Sequence, residues 1–170
     1  MPLADPARAA DQVLAALGSD HARFDIVWAS PLARCAAPAR AIAARLQAEL
    51  RIDQRLREID FGRWDGRPWK EIEREEPSLY AAWMRDWLTR PPPEGEPIAI
   101  FEARVAAWAR DLEATRRHLL IAHAGVMRAL RVIEGGVSWS DAMALVLLPL
   151  GSQIFQLDKL ARSAAVTRSA

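Results

Sequence analysis

Phe24-Asp25-Ile26-Val27-Trp28-Ala29-Ser30-Pro31-Leu32-Ala33-Arg34 is the stretch that decides how the chain is read. Its first six residues are mostly β-branched or aromatic and short as a run, which predicts a strand. Ser30-Pro31 then supplies a capping hydroxyl and a proline pre-set for a first helical turn, so the strand delivers directly into a helix carrying Ala33 to Leu46. The same order returns at His118-Leu119-Leu120-Ile121-Ala122, an apolar strand entering His123-Ala124-Gly125 ahead of a helix over Val126 to Val132.

Working outward, Asp5-Pro6 pairs a side-chain N-cap with proline at the first helical position, and an apolar face follows at Ala9, Val13, Leu14 and Leu17 before Gly18 closes the helix. Arg51 to Pro68 holds Glu58, Asp60, Gly62, Asp65 and Gly66 and reads as loop with one short strand. Trp69 to Leu88 has helical spacing broken at Pro77-Ser78, which predicts two short helices. Pro91-Pro92-Pro93 predicts extended backbone, and Phe101 to Leu112 an amphipathic helix. Ser138-Trp139-Ser140-Asp141 predicts a capped short helix. Val146 to Leu150 and Gln153 to Leu157 predict two strands joined through Gly151-Ser152, with residues 161–170 a frayed tail. No repeat or linker divides the chain. The expectation is one three-layer α/β domain over residues 1–160, with helices on both faces of the sheet.

Composition narrows the chemistry. The chain has 170 residues and 18.9 kDa, 51% of them hydrophobic and 26% charged, the proportions of one globular domain. Lys and Arg number 23 against 22 Asp and Glu, a formal net charge of +1, so no overall field draws nucleic acid or an anionic membrane surface. A single cysteine, Cys35, forms no internal disulfide, and three histidines give no cluster at metal-ligand spacing. The apolar run Ala142 to Leu150 is far short of the roughly 20 residues of a membrane helix. A soluble, cytoplasmic protein is expected.

In an open α/β sheet ligands bind beyond the carboxyl ends of the strands. At the first such place Ser30 caps, and Arg34 lies in the first helical turn, where backbone N–H groups and the helix dipole favour an anion; a purely structural cap with a solvated arginine fits the motif equally well. At the second, His123 is followed by Ala124 and Gly125, small residues that let a ligand approach the backbone, although a lone histidine there is also an ordinary structural residue. If the two strands are parallel, one anion touches both Arg34 and His123. Glu58, between Arg57 and Ile59 in a segment with apolar neighbours, is a candidate proton donor or simply a solvated charge. Trp64, Trp69, Trp83 and Trp87 either roof a pocket or pack the irregular segment. Glycine-rich phosphate loops, metalloprotease helices and nucleophile elbows are absent from the sequence.

Taken in order, Ser30-Pro31-Leu32-Ala33-Arg34, Leu56-Arg57-Glu58-Ile59-Asp60-Phe61-Gly62-Arg63-Trp64-Asp65-Gly66 and His123-Ala124-Gly125 resemble the histidine phosphatase, or phosphoglycerate-mutase-like, superfamily. The resemblance runs from Leu3 to about Leu157. It is nearest to the bacterial branch that includes alpha-ribazole phosphatases of cobalamin synthesis, through Trp28 to Cys35 and the Trp-Asp-Gly step. It implies a three-layer α/β/α sandwich, a small phosphorylated substrate or phosphate as partner, and no metal or cofactor. By the same resemblance Arg34 is the second phosphate-binding arginine, with Ser30 and Gly125 beside it in substrate binding. Glu58 is the proton donor to the leaving alcohol and His123 the second, phosphate-contacting histidine. The family reaction passes through a phosphohistidine, and water then releases phosphate.

One feature of the family pattern is not found. Its Arg-His-Gly motif, with the nucleophilic histidine and first arginine, closes a strand ahead of the first helix, whereas four residues precede Asp5 here. Met1 to Asp5 resembles the stretch just before that helix. The expectation is a fold with its first strand missing and no phosphatase turnover. Arg117-His118 is no substitute, since it opens its strand about 16 Å from the His123 edge, and His21 likewise precedes a strand. Three readings stand: most of a phosphomonoesterase whose start lies upstream, a non-catalytic anion-binding relative, and a decayed product.

Overall fold

The computed structural model describes residues 5–18, 24–148 and 153–155. They form two compact units, one of residues 1–58 with 105–170 and one of residues 59–104.

The first unit begins with α1 (Pro6–Leu17), which forms as its local signals dictate. Asp5 accepts the Ala7 and Arg8 N–H groups at 2.9 and 3.1 Å, and Gly18 ends the helix at φ 57°. The strand β1 (Ile26–Ala29) is buried along its whole length. It pairs in parallel with β2 (Glu49–Ile52) on one side and β3 (His118–Ile121) on the other, giving the order β2-β1-β3. Burial of β1 on both faces explains its unbroken apolar run, since each strand residue meets a helix layer. Val27 and Ala29 pack with Leu50, Leu119 and Ile121 against α1 and α2 (Ala33–Leu46), where Ala10, Ala39, Ile42 and Ala43 complete the layer. Towards the opposite layer, Trp28 meets Trp108 edge-on at 5.7 Å, in the last turn of α5 (Ile98–Arg110). The edge strand β2 is charged instead: Arg51 binds Glu49 and Glu113 and lies over the Trp28 ring at 5.2 Å, which guards that edge.

After β3 come α6 (Ala124–Ile133) and α7 (Trp139–Ala144), the latter opened by a Ser138–Asp141 capping box. The parallel sheet between helices is the expected α/β architecture.

The second unit, residues 59–104, holds α3 (Trp69–Glu75) and α4 (Pro77–Asp86), broken at Pro77 as the sequence predicts, and the start of α5. Its core is aromatic. Trp69 and Trp83 stack at 5.4 Å and 9°, and Phe61, Trp64 and Tyr80 pack around them. Arg67 ties the Glu75 and Glu76 carboxylates, and Arg104 grips Glu96 with two bonds of 2.8 Å.

Several local expectations need correction. Ser30 is not the helix cap: Leu32 is, because the Ser30 N–H still bonds the Ile121 carbonyl as a strand residue would, so the turn comes later and Pro31 precedes the cap. Helix α6 opens at Ala124 rather than Val126, since the Met127 N–H reaches the His123 carbonyl and makes His123 the N-cap. Helix α5 opens at Ile98 rather than Phe101, because the Pro97 carbonyl accepts the Ile100 and Phe101 N–H groups. The triple proline runs into a turn at Pro93, which the Gly95 N–H closes on the Pro92 carbonyl. Residues 146–148 and 153–155 are not strands. Side chains of α6 hold this region in place of a ladder, Arg128 on the Leu145 carbonyl, Arg131 on Gln153 and over the Phe155 ring. The remainder of both expected strands, and the tail from 161, lies outside the described residues. Among the described residues no helix is long and apolar enough to cross a membrane.

Candidate functional site

The register places the site. Ala29 lies opposite Ile121, so the residues that follow each, Ser30 and then Ala122-His123, leave the sheet side by side at its carboxyl end. The sequence could say only that Arg34 and His123 share an edge if their strands are parallel; the strands are in fact neighbours.

Four side chains meet there. The Arg34 Nε–H donates to His123 Nδ1 at 3.1 Å. His123 Nε2 lies 2.7 Å from the Ser30 Oγ, and the Ser30 hydroxyl also accepts the Leu32 N–H at 3.3 Å. Cys35 Sγ sits 3.6 and 3.7 Å from the two ring nitrogens. Ser30 is fully buried and His123 6% exposed, so each of these polar atoms depends on protein partners. Glu58 arrives from the segment after β2, its carboxylate accepting the Gly125 N–H at 3.4 Å in the first turn of α6. All five residues singled out from the sequence, Ser30, Arg34, Glu58, His123 and Gly125, therefore converge within the first unit.

Cys35 was not singled out. Its signal was position: it follows Arg34 in the first turn of α2, on the side that becomes buried. Burial pushes its thiol up to about 11, with Glu58 adding to the rise and the Arg34 charge opposing it. The thiol is thus protonated at neutral pH and packs as a small apolar group.

The electrostatics favour an anion. The N-cap residues Leu32 of α2 and His123 of α6 make no side-chain cap bond, while the Glu58 carboxylate accepts the Gly125 N–H and the other first-turn N–H groups face the same end of the sheet. Arg34 adds a permanent charge with a planar fork. A cavity of about 760 Å³ runs along β3 and reaches Arg34, Cys35 and His123 at its end, with Val13, Trp108 and Leu130 among its apolar walls. That is ample volume for a small ligand. Among the described residues no group of three or more His, Cys, Asp or Glu side chains could hold a metal ion.

The decoy pair separates as its position suggests. His118 stands at the opposite end of β3, where Trp28 Nε1 donates to its Nδ1 at 3.0 Å and its Nε2 meets the Glu113 carbonyl at 2.9 Å. His21 lies outside the described residues. The tryptophans Trp64, Trp69 and Trp83 pack with one another in the second unit.

The chain is similar to proteins of known family and fold. The adenosylcobalamin/alpha-ribazole phosphatase of Salmonella typhimurium is 33% identical over 113 residues, 65% of this chain and 56% of that protein. The chain thus spans little more than half the length of that curated relative. Among solved structures, the alpha-ribazole phosphatase of Shigella flexneri superposes with a TM-score of 0.71 at 26% identity, covering 85% of this chain and 73% of that one. A mycobacterial glucosyl-3-phosphoglycerate phosphatase in complex with inorganic phosphate gives 0.66 at 26% identity, covering 82% and 72%. The fold shared with these structures is the phosphoglycerate-mutase-like α/β fold. The family model for the histidine phosphatase superfamily (branch 1) matches residues 1–158, and the chain belongs to that superfamily.

Proposed function

We propose that the carboxyl end of β1 and β3 binds the phosphoryl group of a small phosphomonoester, with Arg34, His123 and the N-termini of α2 and α6 around its oxygens and Glu58 as proton donor to the leaving alcohol. The observation that carries this reading is the Arg34–His123 contact of 3.1 Å at the starts of α2 and α6, whose N-cap residues make no side-chain cap bond. Cationic and N–H donors fixed before the ligand arrives neutralise charge on phosphoryl oxygens without reorganisation. Glu58, at the first turn of α6, is on the same side and has a carboxyl group to give a proton. An alpha-ribazole-type phosphate is the favoured substrate class, because two of the similar proteins bear that name.

The covalent family route needs an imidazole in line with the leaving oxygen, in addition to one that holds the phosphate. Among the described residues only His123 stands at this end of the sheet. That favours a second reading alongside the first, an anion-binding site that holds the ligand without turning it over. Titration of inorganic phosphate, followed by amide shifts or tryptophan fluorescence, tests the shared core of both. Saturable binding that weakens at least tenfold in Arg34→Ala is expected; no binding, or equal binding in the variant, overturns the site.

A further inference from the structure

His123 is held between groups of fixed character. An arginine side chain only donates, so the 3.1 Å contact from Arg34 Nε requires a lone pair on His123 Nδ1. The ring is then neutral, with its proton on Nε2 and donated to the Ser30 hydroxyl at 2.7 Å. That oxygen also accepts the Leu32 N–H, so both its acceptor positions are used and the β1–α2 junction fixes where Nε2 points. Among the described residues, the charged and titratable groups that face the ring include Arg34 and Cys35 from α2 and, through the first turn of α6, Glu58 from the segment after β2. Cys35 stays a neutral thiol. A second proton on His123 would set N–H against N–H and place a cation beside Arg34, so the empty site disfavours it.

A bound dianion reverses that balance. Resting on the phosphoryl-binding reading above, we propose that a tetrahedral dianion takes the Arg34 Nε–H from His123, and that Nδ1 then takes one proton from solvent and donates it to the same anion, with Ser30 as the positioning residue that keeps Nε2 turned into the protein. One N–H···N bond breaks; an Arg34 N–H···O bond and a His123 N–H···O bond form. The added proton comes from water or buffer, and no oxidation or reduction occurs. By linkage the anion's affinity rises as pH falls, up to tenfold per pH unit where free His123 is neutral and bound His123 charged.

Sulfate is the probe, because it is a tetrahedral dianion with no proton of its own near neutrality. Calorimetric titration of the full chain between pH 7 and 8, in buffers of different protonation enthalpy, is expected to show uptake of about one proton per sulfate. Nitrogen NMR of the imidazole is expected to show Nε2–H alone in the free protein and both nitrogens protonated in the complex. His123→Asn is expected to bind sulfate more weakly and with no uptake. Ser30→Ala is expected to mix the tautomers of free His123, and Ser30→Thr to restore the single form. Sulfate binding without proton uptake, or uptake that persists in His123→Asn and disappears in Glu58→Gln, overturns the coupling while leaving the anion site standing. An unmixed tautomer in Ser30→Ala overturns the positioning role. Absence of sulfate binding overturns the phosphoryl-binding reading itself.

Discussion

Arg34 and Cys35 are adjacent in α2, yet His123 uses them differently. The guanidinium bonds the ring and the thiol packs against it, buried and pushed up to about 11. At pH 8 a thiol so shifted is about 10⁻³ ionised, against roughly a quarter for an ordinary cysteine near 8.5. Alkylation of the native chain by iodoacetamide is therefore expected to be about 100-fold slower than in urea, and equal rates would contradict the burial. The sign for stability follows. The unfolded thiol ionises first, so stability contributed by Cys35 is present below about 8.5 and lost as pH rises towards about 11. The urea midpoint is expected to fall across that window, and Cys35→Ala to flatten the fall.

At the level of elements, the second unit depends on two loops that touch through backbone. Gly62 has φ 56°, and a Cβ there would lie 2.2 Å from the Pro93 carbonyl oxygen; one on Gly95 would lie 2.7 Å from that of Asp60. The Arg63 N–H bonds the Pro93 carbonyl and the Glu96 N–H that of Asp60, so the loops cannot part without breaking the pair. Gly62→Ala combines a left-handed backbone with contact against backbone rather than a flexible side chain. It is expected to destabilise the aromatic core of residues 59–104 by about 2–4 kcal/mol. Urea unfolding followed by tryptophan emission reads this directly, and a change under about 0.5 kcal/mol would contradict the packing.

For the whole molecule, the question is whether binding leads to turnover. Among the described residues, His118 is engaged by Trp28 and Glu113 at the far end of β3, and His123 Nδ1 accepts from Arg34 at the proposed phosphoryl site. On the second reading proposed above, the purified 170-residue chain is expected to bind phosphate without hydrolysing p-nitrophenyl phosphate or alpha-ribazole phosphate, and to form no acid-labile phosphoprotein. Phosphatase assay beside phosphate titration checks both halves. Turnover that is lost in His123→Ala would assign His123 the attack itself.

Elements whose causes are local are legible in the sequence. Asp5-Pro6 and Gly18 bound α1, Pro77 divides α3 from α4, and Ser138 with Asp141 opens α7, because caps and prolines act within one turn. The sequence also marked Ser30, Arg34, Glu58, His123 and Gly125, and their order carried the family resemblance. What those residues do to one another depends on pairings distant in the chain. That β1 and β3 are adjacent depends on a ladder between residues about 90 apart. The same ladder keeps the Ser30 N–H on Ile121, moves the cap to Leu32 and leaves the Ser30 hydroxyl for His123. Nor did the two strands expected over 146–150 and 153–157 form at the described positions 146–148 and 153–155, where side chains of α6 hold the region instead. Strand formation and site assembly both need partners distant in sequence, and a pattern of residues does not name its partner.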